Sequence, residues 1–160
     1  YAGHQVCTVG KVDLFPNLIN VIPAKAVMTL DVRNTEEVIL RQAEKEIADF
    51  ITSLSKEENV VITTRQLARF EPVVFHPRVI DLVEKAAVAL APSVTRMPSG
   101  AGHDAQMFAR VCPSAMIFVP SVEGISHNPA EFTDPQDLIL GTNILLQVLI
   151  DLSQIEDFDS

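Results

Sequence analysis

Positive charge is scarce in this sequence. Twelve Lys and Arg stand against 21 Asp and Glu, a formal net charge of −9 over 160 residues. With no basic excess to neutralise phosphates, the composition argues against a nucleic-acid partner. It argues equally against docking on an anionic membrane surface. It leaves room for an anionic small molecule, because one local arginine outweighs a diffuse negative field at contact distance. Long hydrophobic runs are missing too. The longest near the end, Ile144 to Ile150, is far too short to span a bilayer. Tyr1-Ala2-Gly3-His4-Gln5 carries neither a basic nor an apolar leader region, so no signal peptide is expected. There are only two cysteines, Cys7 and Cys112, without the C-x-x-C spacing of a cysteine zinc site. Each lies in an apolar stretch, and both are expected as buried thiols in a reducing cytoplasm. Gly-x-Ser-x-Gly does not occur; Met97-Pro98-Ser99-Gly100-Ala101 comes nearest, which argues against a serine hydrolase. There is no internal repeat and no low-complexity tract.

Apolar residues, at 48%, are plentiful enough for a core. Val6 to Leu14 predicts a strand, broken by Phe15-Pro16-Asn17. Ala26 to Arg33 predicts a second, with Met28, Leu30 and Val32 on a packed apolar face and Val27, Thr29, Asp31 and Arg33 on the other. Asn34 or Thr35 then caps a helix running to about Leu54, with glutamates in its first turn. Val60 to Leu67 alternates as a third strand should. Residues 6–67 therefore read as β-β-α-β, the greater part of a small α+β sandwich. Phe70 to Pro77, with its prolines and no period, reads as a linker.

Beyond it the pattern changes. A helix is expected from Pro77 to about Leu90, closed by Pro92. A short strand near Thr95-Arg96-Met97 and a short helix from Ala105 to Val111 follow. Ala115 to Val119 is apolar throughout, as suits a strand covered on both faces. A last helix is expected from Gln136 to about Leu152. This alternation predicts α/β with a parallel sheet. Two strands are too few for such a sheet, so the half reads as the end of a larger domain.

Three stretches carry chemistry. Gly124-Ile125-Ser126-His127-Asn128-Pro129-Ala130-Glu131 follows the apolar strand, at the edge where open α/β sheets bind ligands. His127 is a candidate metal ligand there. Glu131 is placed to hold the imidazole or its loop. Equally, His127 is a loop histidine bonded to backbone, because one histidine never makes a metal site. In Ser99-Gly100-Ala101-Gly102-His103-Asp104, two glycines let backbone N–H groups approach a carboxylate or phosphate. The phosphate-loop Lys-Ser/Thr is lacking, and a plain turn capped by Asp104 fits as well. Third, Asn17 and Asn20 precede the strand that ends at Arg33. A lone strand-end arginine is usually a solvated charge, but beside an amide it forms a fork for a carboxylate.

Together these stretches resemble one family. Thr8-Val9-Gly10-Lys11, Pro16-Asn17-Leu18-Ile19-Asn20-Val21-Ile22-Pro23, Leu30-Asp31-Val32-Arg33, Ser99 to Ala105 and Gly124 to Glu131 are similar, in order, to the N-carbamoyl-L-amino-acid hydrolases, allantoate amidohydrolases and β-ureidopropionases. These form the hydantoinase/carbamoylase group of the M20-type di-metal hydrolases. The resemblance implies an α/β catalytic domain and a smaller lid that also makes a homodimer. Residues 1–70 would be most of the lid, and 71–160 the C-terminal segment of the catalytic domain. It implies His127 as a metal ligand, with His103 and Glu131 beside the site. Asn20, Arg33, Gly100, Ala101 and Gly102 would bind the carboxylate of a small-molecule substrate. Helix 36–54 and strand 60–67 would form the dimer surface.

The implied reaction is hydrolysis of the C–N bond of an N-carbamoyl or ureido acid, assisted by two divalent metals (zinc, or manganese, cobalt or nickel). The expected location, from the two unpaired cysteines, is the cytoplasm. The family's other ligands and its carboxylate general base belong to an N-terminal half with no counterpart here. The chain thus reads as a fragment holding one metal ligand and no catalytic residue. A non-catalytic dimerisation piece and another M20-type aminoacylase or peptidase are the competing expectations.

Overall fold

The computed structural model describes residues 4–156. Tyr1–Gly3, part of the stretch read as lacking a leader, and the last four residues of the expected catalytic segment lie outside the described residues. The chain divides into two compact units, Tyr1–Pro72 with Pro98–Ala101, and Val73–Met97 with Gly102–Ser160.

The first unit holds an antiparallel pair, β1 (Val6–Phe15) and β2 (Lys25–Arg33). Val6 faces Arg33 at one end and Phe15 faces Lys25 at the other, with a bulge between Val9 and Lys11. Helix α1 (Glu37–Glu57) follows and contacts β2. Its first turn is not closed by an Asn34 or Thr35 side chain at the cap position itself. Instead the Asn34 Oδ1 accepts the Glu36 N–H at 2.9 Å, two residues on, which is a local Asx turn leading into the helix.

Three expectations for this unit need correction. Val60–Leu67 belongs to no ladder, so the order is β-β-α and not β-β-α-β. Alternation states which face a residue takes, whereas a strand needs a partner for its N–H and C=O groups, and none lies beside this segment among the described residues. The apolar face of β2 is not packed: Met28 is 59% and Leu30 44% exposed. Among the described residues the buried apolar side chains here are Leu40 and Ala43, both on α1. Cys7, expected inside, is exposed because β1 is open on both faces.

The second unit is helical. α2 (Pro77–Leu90) packs on α4 (Pro135–Ser153), with the short α3 (Ala105–Phe108) and a 3₁₀ turn, Val122–Gly124, between them. Its core joins Ala86 and Ala87 of α2 to Ile144 and Val148 of α4, with Ile117 against them. The alanines let the two helices approach closely, and the β-branched residues fill the seam. Pro135 sits in the first turn of α4, and Asp134 caps it by accepting the Gln136 N–H at 2.8 Å. Gly141 permits a close approach: a Cβ there would lie 2.6 Å from a Val119 methyl.

Here too strands were expected and are not formed. Thr95–Met97 and Ala115–Val119 lie in no ladder. In the apolar Ala115–Val119, Ile117 packs on the helical core and Val119 lies against Gly141, while Phe118 is half exposed and no strand lies beside the segment among the described residues. Among the described residues the α/β reading of this half is therefore realised as helices without a sheet, and the mixed character of the chain rests on one two-stranded pair. Cys112 is exposed as well.

Much apolar surface is uncovered. The accessible surface is 12397 Å². Two independent bodies of half the 17.5 kDa mass would expose roughly 9,500 Å². The surplus appears in the exposed Ile19, Ile22, Val61, Val74 and Leu146, among others. No helix of the described residues is long and apolar enough to cross a membrane.

Candidate carboxylate and metal-ligand sites

In the first unit, chemistry converges on the end of β2. The Arg33 guanidinium is held by three hydrogen bonds to two partners. Its Nε donates to Asp31 Oδ1 at 3.1 Å and its Nη2 to Asp31 Oδ2 at 2.7 Å, a two-point fork. Its Nη1 donates to the Gly100 carbonyl at 3.0 Å. The backbone is held as well: Gln5 Nε2 donates to the Arg33 carbonyl at 3.0 Å. Asn34 Nδ2 donates to Gln5 Oε1 at 3.0 Å. Asn34 is 7% exposed and is the buried polar residue of the described chain. Buried polar groups must be hydrogen-bonded, and both ends of this amide are.

Arg33 and Gly100, which the sequence pointed to separately, are thus brought together. Asn20 is not brought to them. It lies in the exposed turn between β1 and β2, and among the described residues its side chain makes no hydrogen bond to Arg33. From the sequence, Asp31 and Gln5 take no site role, and Asn34 only that of a helix cap. Asp31 had a readable signal, since it lies two residues before Arg33 on the same strand face. Gln5 had none, because it meets Asn34 across 29 residues of chain.

The rest of the glycine loop is tied locally. Ala101 N–H donates to the Ser99 hydroxyl at 3.2 Å, and His103 N–H to Gln106 Oε1 at 3.3 Å. Gly100 and Gly102 have open space where a side chain would stand, apart from the Gln106 tip at 3.8 Å from Gly102. The His103 ring lies edge-on to Phe118, 5.7 Å between centroids. Asp104 does not cap α3 through its side chain.

The His127 loop of the second unit is held by its own polar groups. His127 has φ of 55°, a left-handed conformation uncommon for a residue with a side chain. Its N–H donates to Glu131 Oε2 at 2.9 Å, so this carboxylate grips the loop backbone. Ala130 N–H donates to Asn128 Oδ1 at 2.9 Å, and Val122 N–H to the Phe132 carbonyl at 2.8 Å, closing the base of the loop. Ser126 Oγ lies 3.2 Å from His127 Nδ1. A left-handed residue fixed this way is aimed by its neighbours and not by its own preference. His127 supplies one imidazole, and no three His, Cys, Asp or Glu side chains come together among the described residues. By themselves, these residues do not fit a metal ion.

Charge elsewhere is structural. Arg69 bridges Glu37 at 2.8 Å and Glu44 at 3.0 Å on α1. The hydrogen bond from Arg69 is the main cause holding the Glu37 carboxyl below its ordinary value. Arg96 holds Asp81 and Glu84 of α2, and its bond likewise lowers Glu84.

The family model for Peptidase family M20/M25/M40 matches residues 4–151. The chain is 37% identical over 152 residues to an N-carbamoyl-L-amino acid amidohydrolase of Geobacillus stearothermophilus, covering 95% of this chain and 37% of that one. It is 36% identical over 148 residues to an allantoate amidohydrolase of Escherichia coli K12, covering 92% of this chain and 36% of the relative. A crystal structure of an amidase of the hydantoinase/carbamoylase family from Burkholderia multivorans superposes with a TM-score of 0.87 at 33% identity, over 94% of this chain and 37% of that one. The chain thus spans little more than a third of the length of the relatives it matches.

Proposed function

Because the chain belongs to Peptidase family M20/M25/M40, we propose that it forms part of a metal-dependent amidohydrolase that cleaves the C–N bond of a ureido acid, such as an N-carbamoyl-L-amino acid or allantoate. The observation that carries this reading is the strand-end arginine. Arg33 is a fixed cation with a backbone carbonyl on one terminal nitrogen and a carboxylate fork on its flank. Ureido acids share one anionic group, a carboxylate, and a planar guanidinium is the side chain suited to it. The names of the two relatives, one a carbamoyl-amino-acid and one an allantoate hydrolase, agree with that chemistry.

In this reading Arg33 binds and orients the carboxylate. The N–H groups of Gly100 and Gly102 add donors, with the Ala101 N–H tying the loop to Ser99, and Asn20 joins from the partner protomer of a homodimer formed through the first unit, the lid. Holding the carboxylate fixes where the ureido carbonyl lies, and orientation of that kind lowers the barrier by replacing lost entropy before the reaction. The second unit is the C-terminal segment of the catalytic domain. There His127 supplies one ligand of a two-metal centre whose other ligands, with the general base, lie outside this sequence. With Nδ1 as the N–H donor to the Ser126 hydroxyl, Nε2 would be the nitrogen able to hold an ion. His103 and Glu131 support the neighbouring loops. The uncovered apolar surface supports an N-terminal half that packs on this chain.

Ammonium release by the complete hydrolase containing this chain tests the reading, against a panel of N-carbamoyl amino acids, allantoate, ureidoglycolate and β-ureidopropionate. Turnover of at least one, with N-acyl amino acids and dipeptides left intact, is expected. Turnover of the latter group alone would replace this reading with an aminoacylase or peptidase. Metal content of a His127→Ala protein tests the ligand: two metals per chain at full occupancy contradict its assignment.

A further inference from the structure

We propose that Asp31 is a positioning residue for substrate carboxylate, acting through Arg33. This inference rests on the assignment of Arg33 to the carboxylate in the preceding reading.

The Asp31–Arg33 pair contributes little to folding. Both side chains are well exposed, 50% and 45%. An exposed ion pair contributes only about 0–1 kcal/mol to folding, so stability is a weak reason for it. Its geometric consequence is larger. Arginine has many rotamers, and a long side chain at the end of a two-stranded pair would sample them freely. Asp31 and Arg33 are i and i+2 on β2 and so point to the same face. The carboxylate takes two parallel N–H groups, from Nε and Nη2, at 3.1 and 2.7 Å. Two contacts to a planar group fix its plane as well as its position.

The Gly100 carbonyl then takes one N–H of Nη1 at 3.0 Å. Of the five guanidinium N–H groups, three are engaged. One remains on each terminal nitrogen, and a carboxylate has two oxygens to receive them. Gln5, bonded to the Arg33 carbonyl and held by the buried Asn34, fixes the backbone from which the side chain rises. Side chain and main chain are thus set before any ligand arrives, which removes an ordering cost from binding.

Asp31 also brings a negative charge near the incoming carboxylate. If charge were its main effect, removing it would tighten binding. If positioning is, removal weakens it. The two differ in sign.

The test measures kcat/KM of the complete hydrolase for one ureido acid and for the same compound with its carboxylate replaced by a carboxamide. The quantity read is the ratio of the two, in the native protein, Asp31→Asn and Arg33→Ala. Both rates come from the same folded molecules, so the ratio is insensitive to how much of a variant folds. Asp31→Asn keeps the shape but turns one acceptor of the fork into a donor. The expected result is a ratio lowered on the order of tenfold in Asp31→Asn, carried mainly by KM, and lowered further in Arg33→Ala. An unchanged or raised ratio in Asp31→Asn, with the Arg33→Ala ratio lowered, overturns the positioning role and leaves Arg33 in place. An unchanged ratio in Arg33→Ala overturns the carboxylate reading and the positioning role together.

Discussion

The two units are held together by different forces. In the second, α2 and α4 meet through Ala86, Ala87, Ile144 and Val148, four buried apolar side chains in contact. In the first, the strand pair leaves Val9, Val12 and Met28 more than half exposed, and order at its functional end comes from polar groups: Asn34, Gln5, Arg33, Asp31 and the Gly100 carbonyl. The difference shows where each kind of precision comes from. Apolar packing is non-directional and sets how closely elements approach. Hydrogen bonds are directional and set where a donor points, which a carboxylate grip requires.

Substitutions can break this contrast. Ile144→Ala in α4 is expected to cost about 2–5 kcal/mol in chemical denaturation, from lost burial and the cavity left behind. Val9→Ala on the exposed strand face should cost under about 1 kcal/mol, since most of its surface is already in water. Equal costs would remove the distinction. Gly141→Ala comes next. The new methyl would meet Val119, which has to move, at about 1–3 kcal/mol for overpacking, partly offset by about 1 kcal/mol of better helix propensity. A net gain in melting temperature would show that the contact yields freely. Asn34→Ala should cost about 1–2 kcal/mol, because it unties both Gln5 and the turn before α1.

The smallest expected effect concerns acid. The Arg69 bond lowers the Glu37 carboxyl in the folded chain. In the unfolded chain that carboxyl titrates at its ordinary value, near ~4.3. As pH falls past that value the unfolded chain takes the proton first, so the stabilisation present above it is lost as pH approaches the lower folded value. Arg69→Ala should make stability less steep in pH below about 4.3. Denaturation midpoints against pH, in native and variant chains, check this; parallel curves would contradict it.

The sequence was most legible where a signal is local. α2 begins at Pro77 and ends at Leu90 as its period and prolines required. α4 is Pro135–Ser153 against an expected Gln136–Leu152, and β1 and β2 each differ by one residue at one end. Legibility failed where structure is a property of pairs. Val60–Leu67 and Ala115–Val119 have the residues of strands, but pairing depends on a neighbour that no single segment specifies. The same limit explains the open apolar face of β2 and the exposed cysteines, since burial needs a covering element. At the site, Arg33, Gly100 and His127 were readable as residue types in suitable places. Asp31 was readable from period two. The Gln5–Asn34 link, closing 29 residues, was not.

The central claim is that Arg33 at the end of β2 grips the carboxylate of a ureido acid. Its most direct test is steady-state turnover of that acid by the complete hydrolase carrying Arg33→Ala. The account predicts that kcat/KM falls on the order of a hundredfold, as expected when a charged hydrogen-bonding partner of a substrate is removed. Unchanged KM and kcat would contradict it.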